Sequence, residues 1–519
     1  MHASNDKTRR RSLMHRSRTV LAVGLTVALT GCAVGPEFVP PAPPPVQNYT
    51  ATGTPAVMTP GAGEPAQRLV TGQAISAQWW DLYRSPRLHQ VLDQAITDSP
   101  TLAAAKATLA QAQQAVIQAR GGFYPQFDIA ANAERQKTTS SRFASSGIGA
   151  TTGSTTFSLY SLGPTVSFAP DVFGGTRRRV EEQEALAENQ RYQLAAAYLT
   201  LTGNAVTQAI NIASARLQIA AAQDIIAADE QDLQLVQLKF QAGKAARLDV
   251  LTAESQLAND QTLLPPLQQQ LSAARHALSV LVGRFPNHWS VPDFELTEFT
   301  LPAELPVSVP SDLVHQRPDI LAAEAQLHAN SAAIGVAASQ LYPNITLSGT
   351  FGVESLSTAT LFQSSSEFWS LVANLTAPLF HGHALQAQKQ AAVDAFEASA
   401  ATYQQTVLTA FGQVADVLRA LAHDADFVNA QKHALNTSNT AVSLQRMSYA
   451  AGKSDLLQLV VVERAYQQAR LGYARAQAQR FQDTAQLFVA MGGGWWSVQN
   501  DAPVPSMTDA AGAKLTTNN

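Results

Sequence analysis

Two stretches of the chain alternate apolar and polar side chains with period two. Phe127, Ile129, Ala131 and Ala133 stand between Gln126, Asp128, Asn132 and Glu134. Ile345, Leu347, Phe351 and Val353 stand between Asn344, Thr346, Ser348 and Thr350. Each has a return stretch of the same kind. Tyr160, Leu162, Val166 and Phe168 face away from Ser161, Thr165 and Ser167, and Trp369, Leu371, Ala373 and Leu375 face away from Ser370, Asn374 and Thr376. This pattern predicts four strands of roughly 10 residues, each with one apolar and one polar face. Lipid outside and water inside a membrane barrel would select it, and so would a soluble sandwich. Residues 138–156 are rich in Ser, Thr and Gly and read as a long exposed loop between the first two strands.

Elsewhere the period is helical. Leu102, Leu109, Val116 and Phe123 step by seven, as do Ile320, Leu327, Ile334 and Leu341. Each run ends at Tyr-Pro, Tyr124-Pro125 and Tyr342-Pro343, because the residue before proline leaves the helical region. The two runs lie 218 positions apart (318 − 100, from Pro100 to Pro318). Ala169-Pro170 and Ala377-Pro378 lie 208 apart, and Gly243 and Gly452 lie 209 apart. The chain is therefore written twice, with about ten extra residues in the first strand pair's loop. No proline interrupts 176–242 or 384–451, so each can form one helix of ~100 Å at 1.5 Å per residue. Gly243 and Gly452 end these helices, and 247–282 and 455–491 return as helices. Four strands cannot close a membrane barrel, since the smallest have ~8. A spanning chain must oligomerise.

Composition changes the picture at the amino-terminal end. Arg9, Arg10, Arg11, Arg16 and Arg18 precede an apolar stretch, 20–29, too short to span a bilayer. That is the layout of a secretory signal peptide over residues 1–31. The single cysteine of the chain follows in Leu29-Thr30-Gly31-Cys32, which resembles a bacterial lipobox. One cysteine allows no intrachain disulfide; a buried free thiol is the plainer alternative. The resemblance implies S-diacylglyceryl and N-acyl lipid on Cys32 and no other cofactor. Ala33, where an inner-membrane retention signal would have Asp, implies the outer membrane. Without residues 1–31 the counts fall from 35 to 29 basic and from 39 to 38 acidic, a net charge near −9. No basic stripe is left for nucleic acid.

Taken in order, these motifs resemble the TolC-type outer-membrane efflux channels, in their lipidated NodT/OprM-like branch. The residues carrying the resemblance are Cys32 with Val34-Gly35-Pro36; Trp80 with Leu82, Pro86 and Leu88; Phe173-Gly174-Gly175; Arg317-Pro318-Asp319 with Ala323-Glu324; both Tyr-Pro turns; and Met491-Gly492-Gly493-Gly494-Trp495. They cover about 32–496. The resemblance implies an α+β membrane protein: a homotrimer whose three sets of four strands make one β-barrel, continuous with a long periplasmic α-helical barrel. It also implies a periplasmic adaptor and a proton-driven inner-membrane pump as partners. The expected organisation is a signal peptide (1–31), a lipidated Pro-rich segment (32–78), a first repeat (79–284, strand pair about 125–172, helical hairpin 176–282), an equatorial linker (285–310), a second repeat (311–496, strand pair about 344–380, helical hairpin 384–491) and a flexible tail (497–519).

The same resemblance places the closed end of the duct at the two glycine turns. Gly243, Lys244, Arg247, Gly452 and Lys453 become the expected adaptor contacts. Relatives carry an acid six or nine residues after the second glycine; here those positions are Gln458 and Val461. Leu457 matches an apolar gate position, so the expected constriction is an uncharged ring of Leu457 and Val461, with Asp455, Asp249 and Glu463 as nearby charge. Tyr449, Lys453 and Ser454 are expected to tie neighbouring hairpins together. Ordinary helix packing is the alternative for all of these.

No enzyme chemistry is legible. His381-Gly382-His383 lacks neighbouring carboxylates or thiols and reads as solvated. Gly492-Gly493-Gly494 lacks the following Lys-Ser/Thr of a phosphate loop. Trp495 and Trp496 read as packing residues. Asp416, Arg419, His423, Asp424 and Asp426 read as a solvated or intersubunit helix face. The expected function is a passive efflux duct, and the alternative is a structural periplasmic coiled-coil lipoprotein without a pore.

Overall fold

The computed structural model describes residues 33–50, 66–73, 75–139 and 154–495. The expected signal peptide, Cys32, Trp496, the tail and most of the first loop lie outside the described residues.

In chain order the elements are β1 (Arg68–Thr71), a 3₁₀ turn (Trp79–Tyr83), α1 (Pro86–Asp98), α2 (Pro100–Arg120), β2 (Gln126–Thr139), β3 (Ser154–Phe168), α3 (Gly175–Gln241), α4 (Arg247–Gln261), α5 (Leu264–Leu281), β4 (Glu304–Val307), α6 (Pro310–Leu313), α7 (Pro318–Ser339), β5 (Asn344–Ser355), β6 (Glu367–Thr376), α8 (Ala384–Ala450) and α9 (Leu456–Ala490). The order helix, strand pair, long helix, returning helix occurs twice, and both long helices, α3 and α8, have 67 residues. Among the described residues no helix is long and apolar enough to cross a membrane.

The described residues divide into two compact units, one within 1–40, 110–188 and 325–401 and the other within 41–109, 189–324 and 402–519. The first holds an antiparallel sheet in the order β2-β3-β5-β6. Its register lines up the apolar positions across all four strands. Phe127 faces Val166, which faces Gly349, which faces Leu371. Phe351 faces Trp369, and Ile345 faces Leu375. The polar positions line up likewise, Asp128 with Thr165, Thr350 and Ser370. The apolar row is open to its surroundings: Ile129 is 81% exposed, Trp369 76% and Leu371 77%. Where β3 passes β5, Gly163-Pro164 lies opposite Phe351-Gly352; a Cβ on Gly163 would strike the Phe351 carbonyl oxygen. The strands touch backbone to backbone there, and Pro164 has no N–H to give to a ladder.

The second unit contains the largest apolar core. Trp79, Trp80, Tyr83, Leu88 and Leu92 pack with Ile210, Ile212, Leu278, Phe294, Leu418 and Phe488. A short parallel pairing of β1 with β4 ties the Pro-rich segment to the inter-repeat linker, a contact that sequence alone did not indicate.

One expectation is refined and another corrected. The first return, 247–282, is built of two helices. α4 stops at Gln261, and α5 begins with Pro265 and Pro266 in its first turn, where proline's fixed φ and missing N–H suit a helix start and not an interior. The cluster at 416–426 is not one solvated face: Asp424 is 9% exposed and shares the inward side of α8 with Leu421, Ala425 and Val428. Spacings of three, four and seven put these on one stripe of a 3.6-residue helix.

Candidate functional site

The residues expected at the closed end sit on two helix–turn–helix ends in the second unit. Gln241 and Ala450 close the long helices. Gly243 and Gly452 follow with φ of 72° and 67°. Each turn is closed by two backbone bonds: Gly243 and Lys244 donate to Phe240 and Lys239, and Gly452 and Lys453 donate to Tyr449 and Ser448. That is the double bond pattern of a left-handed helix cap. A Cβ at either glycine meets nothing within 4 Å, so glycine is needed for its backbone angle alone. Lys244, Arg247 and Lys453 are exposed.

Helix starts absorb the nearby acids. Asp455 accepts the Gln458 N–H at 2.8 Å, and Asp249 accepts the Ala246 N–H at 2.7 Å. Both carboxylates thus cap α9 and α4, where the helix dipole favours negative charge. Behind the turns, Val236, Val250, Ala253, Tyr449, Leu456, Leu459 and Val460 form a small core. On α9 the expected gate pair points away from it: Leu457 is 66% and Val461 59% exposed. One turn apart, they share a face. Gln458 beside them accepts from Gln445 at 3.4 Å.

The expected hairpin ties are drawn differently from the sequence reading. Tyr449 is one. The Lys239 ammonium lies 3.6 Å from its ring centroid and also donates to its carbonyl oxygen, a cation–π contact joining α3 to α8. Lys239 was not singled out in the sequence. The Ser454 hydroxyl is buried without a hydrogen-bond partner inside the chain. Glu463, expected as charge near the gate, is 4% exposed and turned inward. Arg446 clamps it, with Nε at 3.0 Å and Nη2 at 2.9 Å from Glu463 Oε1, and reaches Asp232 at 2.9 Å.

Around Glu463 lies a buried acidic cluster that the sequence reading missed. Asp229 and Asp232 come from α3, Asp260 from α4 and Glu463 from α9. Gln256 and Gln467 donate to Asp260 at 2.7 and 2.6 Å, and Arg464 donates to Gln256 at 2.9 Å. Burial first, then Asp260, pushes the Asp229 carboxyl up to about 9. Burial, then Asp232, pushes Glu463 up to about 8 against the pull of Arg446. The sequence signal was weak, because the groups sit more than 200 positions apart.

In the first unit, the segment that follows Cys32 has a built seat. Val34 N–H donates to Phe173 O at 3.1 Å. Arg178 reaches the carbonyls of Val34 and Gly35 at 3.2 and 3.4 Å. Gly35 has φ 103°, and a Cβ there would fall 2.5 Å from Gly335. Phe38 stacks on His328 at 4.4 Å. The Val34-Gly35-Pro36 motif is thus a docking strap. Phe173-Gly174-Gly175 does related work, with Phe173 stacked on Tyr342 at 4.9 Å. Asp171 caps α3 by accepting from Thr176 and Arg177, both at 2.8 Å. In the second unit the Arg317-Pro318-Asp319 motif is structural too. Arg317 pairs with Asp319 at 2.6 Å and donates to the Ala490 carbonyl, at the end of α9, at 2.9 Å. Trp495 donates to Gln316 O at 2.8 Å.

The model of the family described as outer membrane efflux protein matches residues 91–284 and 309–493. The chain belongs to that family. It is an outer-membrane efflux channel protein of the tripartite-system type, extending into the periplasm. Pyoverdine export outer membrane protein OpmQ of Pseudomonas aeruginosa is 29% identical over 86% of this chain and 94% of its own length. Nodulation protein T of Rhizobium leguminosarum bv. viciae is 27% identical over 96% and 98%. Among solved structures, the outer-membrane channel OprN superposes with a TM-score of 0.80 at 25% identity, covering 89% of this chain and all of that one. The Campylobacter jejuni CmeC channel gives 0.79 at 20% identity over 91% and 98%, and shows the fold alone. Both family segments leave out Cys32, and the one on the second copy, 309–493, includes the whole of its turn and gate positions.

Proposed function

We propose that three copies of this chain form a passive duct through the outer membrane, each anchored by lipid on Cys32. The observation that carries the reading is the four-stranded sheet. Its apolar row is exposed, and β2 and β6 are its outer strands. Unpaired backbone groups cannot face hydrocarbon, and four strands are half of what the smallest membrane barrels need. Three sets of four close a ring of twelve, an even number that keeps neighbours antiparallel. The strap at Val34 and Gly35 holds the start of the described chain in the same unit as the sheet, which supports an anchor that enters the same membrane.

Energy comes from elsewhere, through a periplasmic adaptor docking at Gly243, Lys244, Arg247, Gly452 and Lys453 and a proton-driven inner-membrane pump. The chain itself is not an enzyme in this reading. Its relatives range from a pyoverdine export protein to a cation efflux system protein. Cargo so unlike in chemistry favours a duct whose selectivity lies in its partners. The closing ring is Leu457 and Val461 from three subunits, with Gln458 beside it and no acid; an apolar constriction stops ions by dewetting.

The test is the native mass of the detergent-purified protein together with mass spectrometry of its amino terminus. A trimer beginning at a triacylated Cys32 is expected. A stable folded monomer would overturn the barrel argument, and an unmodified Cys32 would remove the anchor.

A further inference from the structure

We propose that Asp229, Asp232 and Glu463 form a calcium site that clasps helix α3 to helix α9. One carboxylate oxygen from each lies within 4.8 Å of the others. Asp229 is 4% exposed, and its Oδ2 is shut off from solvent with no hydrogen-bond partner. A buried carboxylate oxygen left without a donor is costly, and a cation at the centre of the group would satisfy it.

Charge points the same way. Four carboxylates (Asp229, Asp232, Asp260, Glu463) meet two guanidiniums, Arg446 on Asp232 and Glu463 and Arg464 through Gln256. Once a cation takes the place of the protons on Asp229 and Glu463, the cluster carries −4 + 2 = −2, the charge one divalent cation cancels. The donors are all oxygens, carboxylates with the Gln256 and Gln467 amides close by, and no His or Cys belongs to the group. Such a set selects hard cations over zinc or copper. Calcium is favoured because its coordination is flexible at about 2.3–2.6 Å, which suits carboxylates fixed on two separate helices better than the near-ideal octahedron that magnesium demands.

The position gives the site a role. Asp232 lies 11 residues before Gly243 and Glu463 lies 11 after Gly452, about 16 Å along each helix from its turn. The ligands come from the two different hairpins. A bound cation would pin them together about three turns behind the glycine turns, and within two turns of Leu457 and Val461, and resist their separation. This inference stands on the cluster alone and does not require the trimeric duct.

The test is equilibrium dialysis of radioactive calcium against the full-length, detergent-purified protein after chelation. The expected result is one bound ion per chain, weakened at least tenfold in Asp229→Asn and in Glu463→Gln. Asp455→Asn, an exposed cap residue near the turn, should bind as wild type does. Calcium should also raise the melting temperature of the wild type and leave that of Asp229→Asn unmoved. Equal binding by wild type and Asp229→Asn, equal loss in Asp455→Asn, or no calcium shift in the wild-type melt would overturn the site. Binding of magnesium in place of calcium would overturn the choice of ion.

Discussion

Gly243 and Gly283 have nearly the same backbone, with φ of 72° and 76°, but different surroundings. A Cβ on Gly243 meets open space; on Gly283 it would fall 2.5 Å from Asp98 O and 2.9 Å from Pro100 Cδ. Gly243→Ala should therefore lose only the left-handed penalty, about 1–2 kcal/mol. Gly283→Ala adds a clash with backbone, for a further ~1–3 kcal/mol. Urea melts of the two variants check this, and equal losses would show that the contact at Gly283 yields freely. Asp424 supplies a second prediction. Burial, then Asp483, pushes its carboxyl from 3.8 to about 8. The folded protein thus holds this proton more tightly than the unfolded chain does. Its contribution is full below pH ~4 and is lost as pH rises through 8. Asp424→Asn, which keeps the protonated shape, should flatten the fall in melting temperature between pH 5 and pH 9. Parallel curves for variant and wild type would contradict this assignment. At this scale the turn glycines were legible, because glycine before a returning helix has a local cause. The inward side of Asp424 was less so, since a charged residue inside an apolar stripe reads as solvent-facing until its partner Asp483, on another helix, is seen.

The strands were legible as elements, and their register explains why. Period-two alternation in four separate stretches produces a common apolar face only if all four lie in one sheet, and Phe127, Val166, Gly349 and Leu371 do line up. What the pattern hid was the crossing of β3 and β5 at Gly163 and Gly352, where a missing side chain, not a present one, sets the fit. Gly163→Val should block that approach, and the expected outcome is loss of the proposed trimer, read as native mass in detergent, while α3 and α8 keep their far-ultraviolet helical signal. Normal assembly of this variant would show that the close pass does not govern the sheet. The break between α4 and α5 was also present in the sequence, at Pro265-Pro266. The second copy, which has no proline there, returns in one continuous helix, so proline's geometry prevails over the symmetry of the repeat.

At the scale of the molecule, the account joins an incomplete sheet, a pair of 67-residue helices and two glycine-closed ends. The order of motifs carried the family, and the comparisons place the chain in it. The polar interior near the turns stayed hidden because its members, Asp229, Asp232, Asp260 and Glu463, meet only after the two copies fold against each other. The central claim is that the ends hold a duct shut with an apolar ring. Single-channel conductance in planar bilayers tests it most directly, comparing wild type with the double variant Leu457→Ala/Val461→Ala. The account predicts a low, mostly closed conductance for the wild type and a several-fold larger one for the variant, with little change in cation selectivity, since the ring carries no charge. Correctly assembled oligomers in which wild type and variant conduct equally would contradict the apolar gate, and oligomers that never conduct in either form would contradict the duct itself.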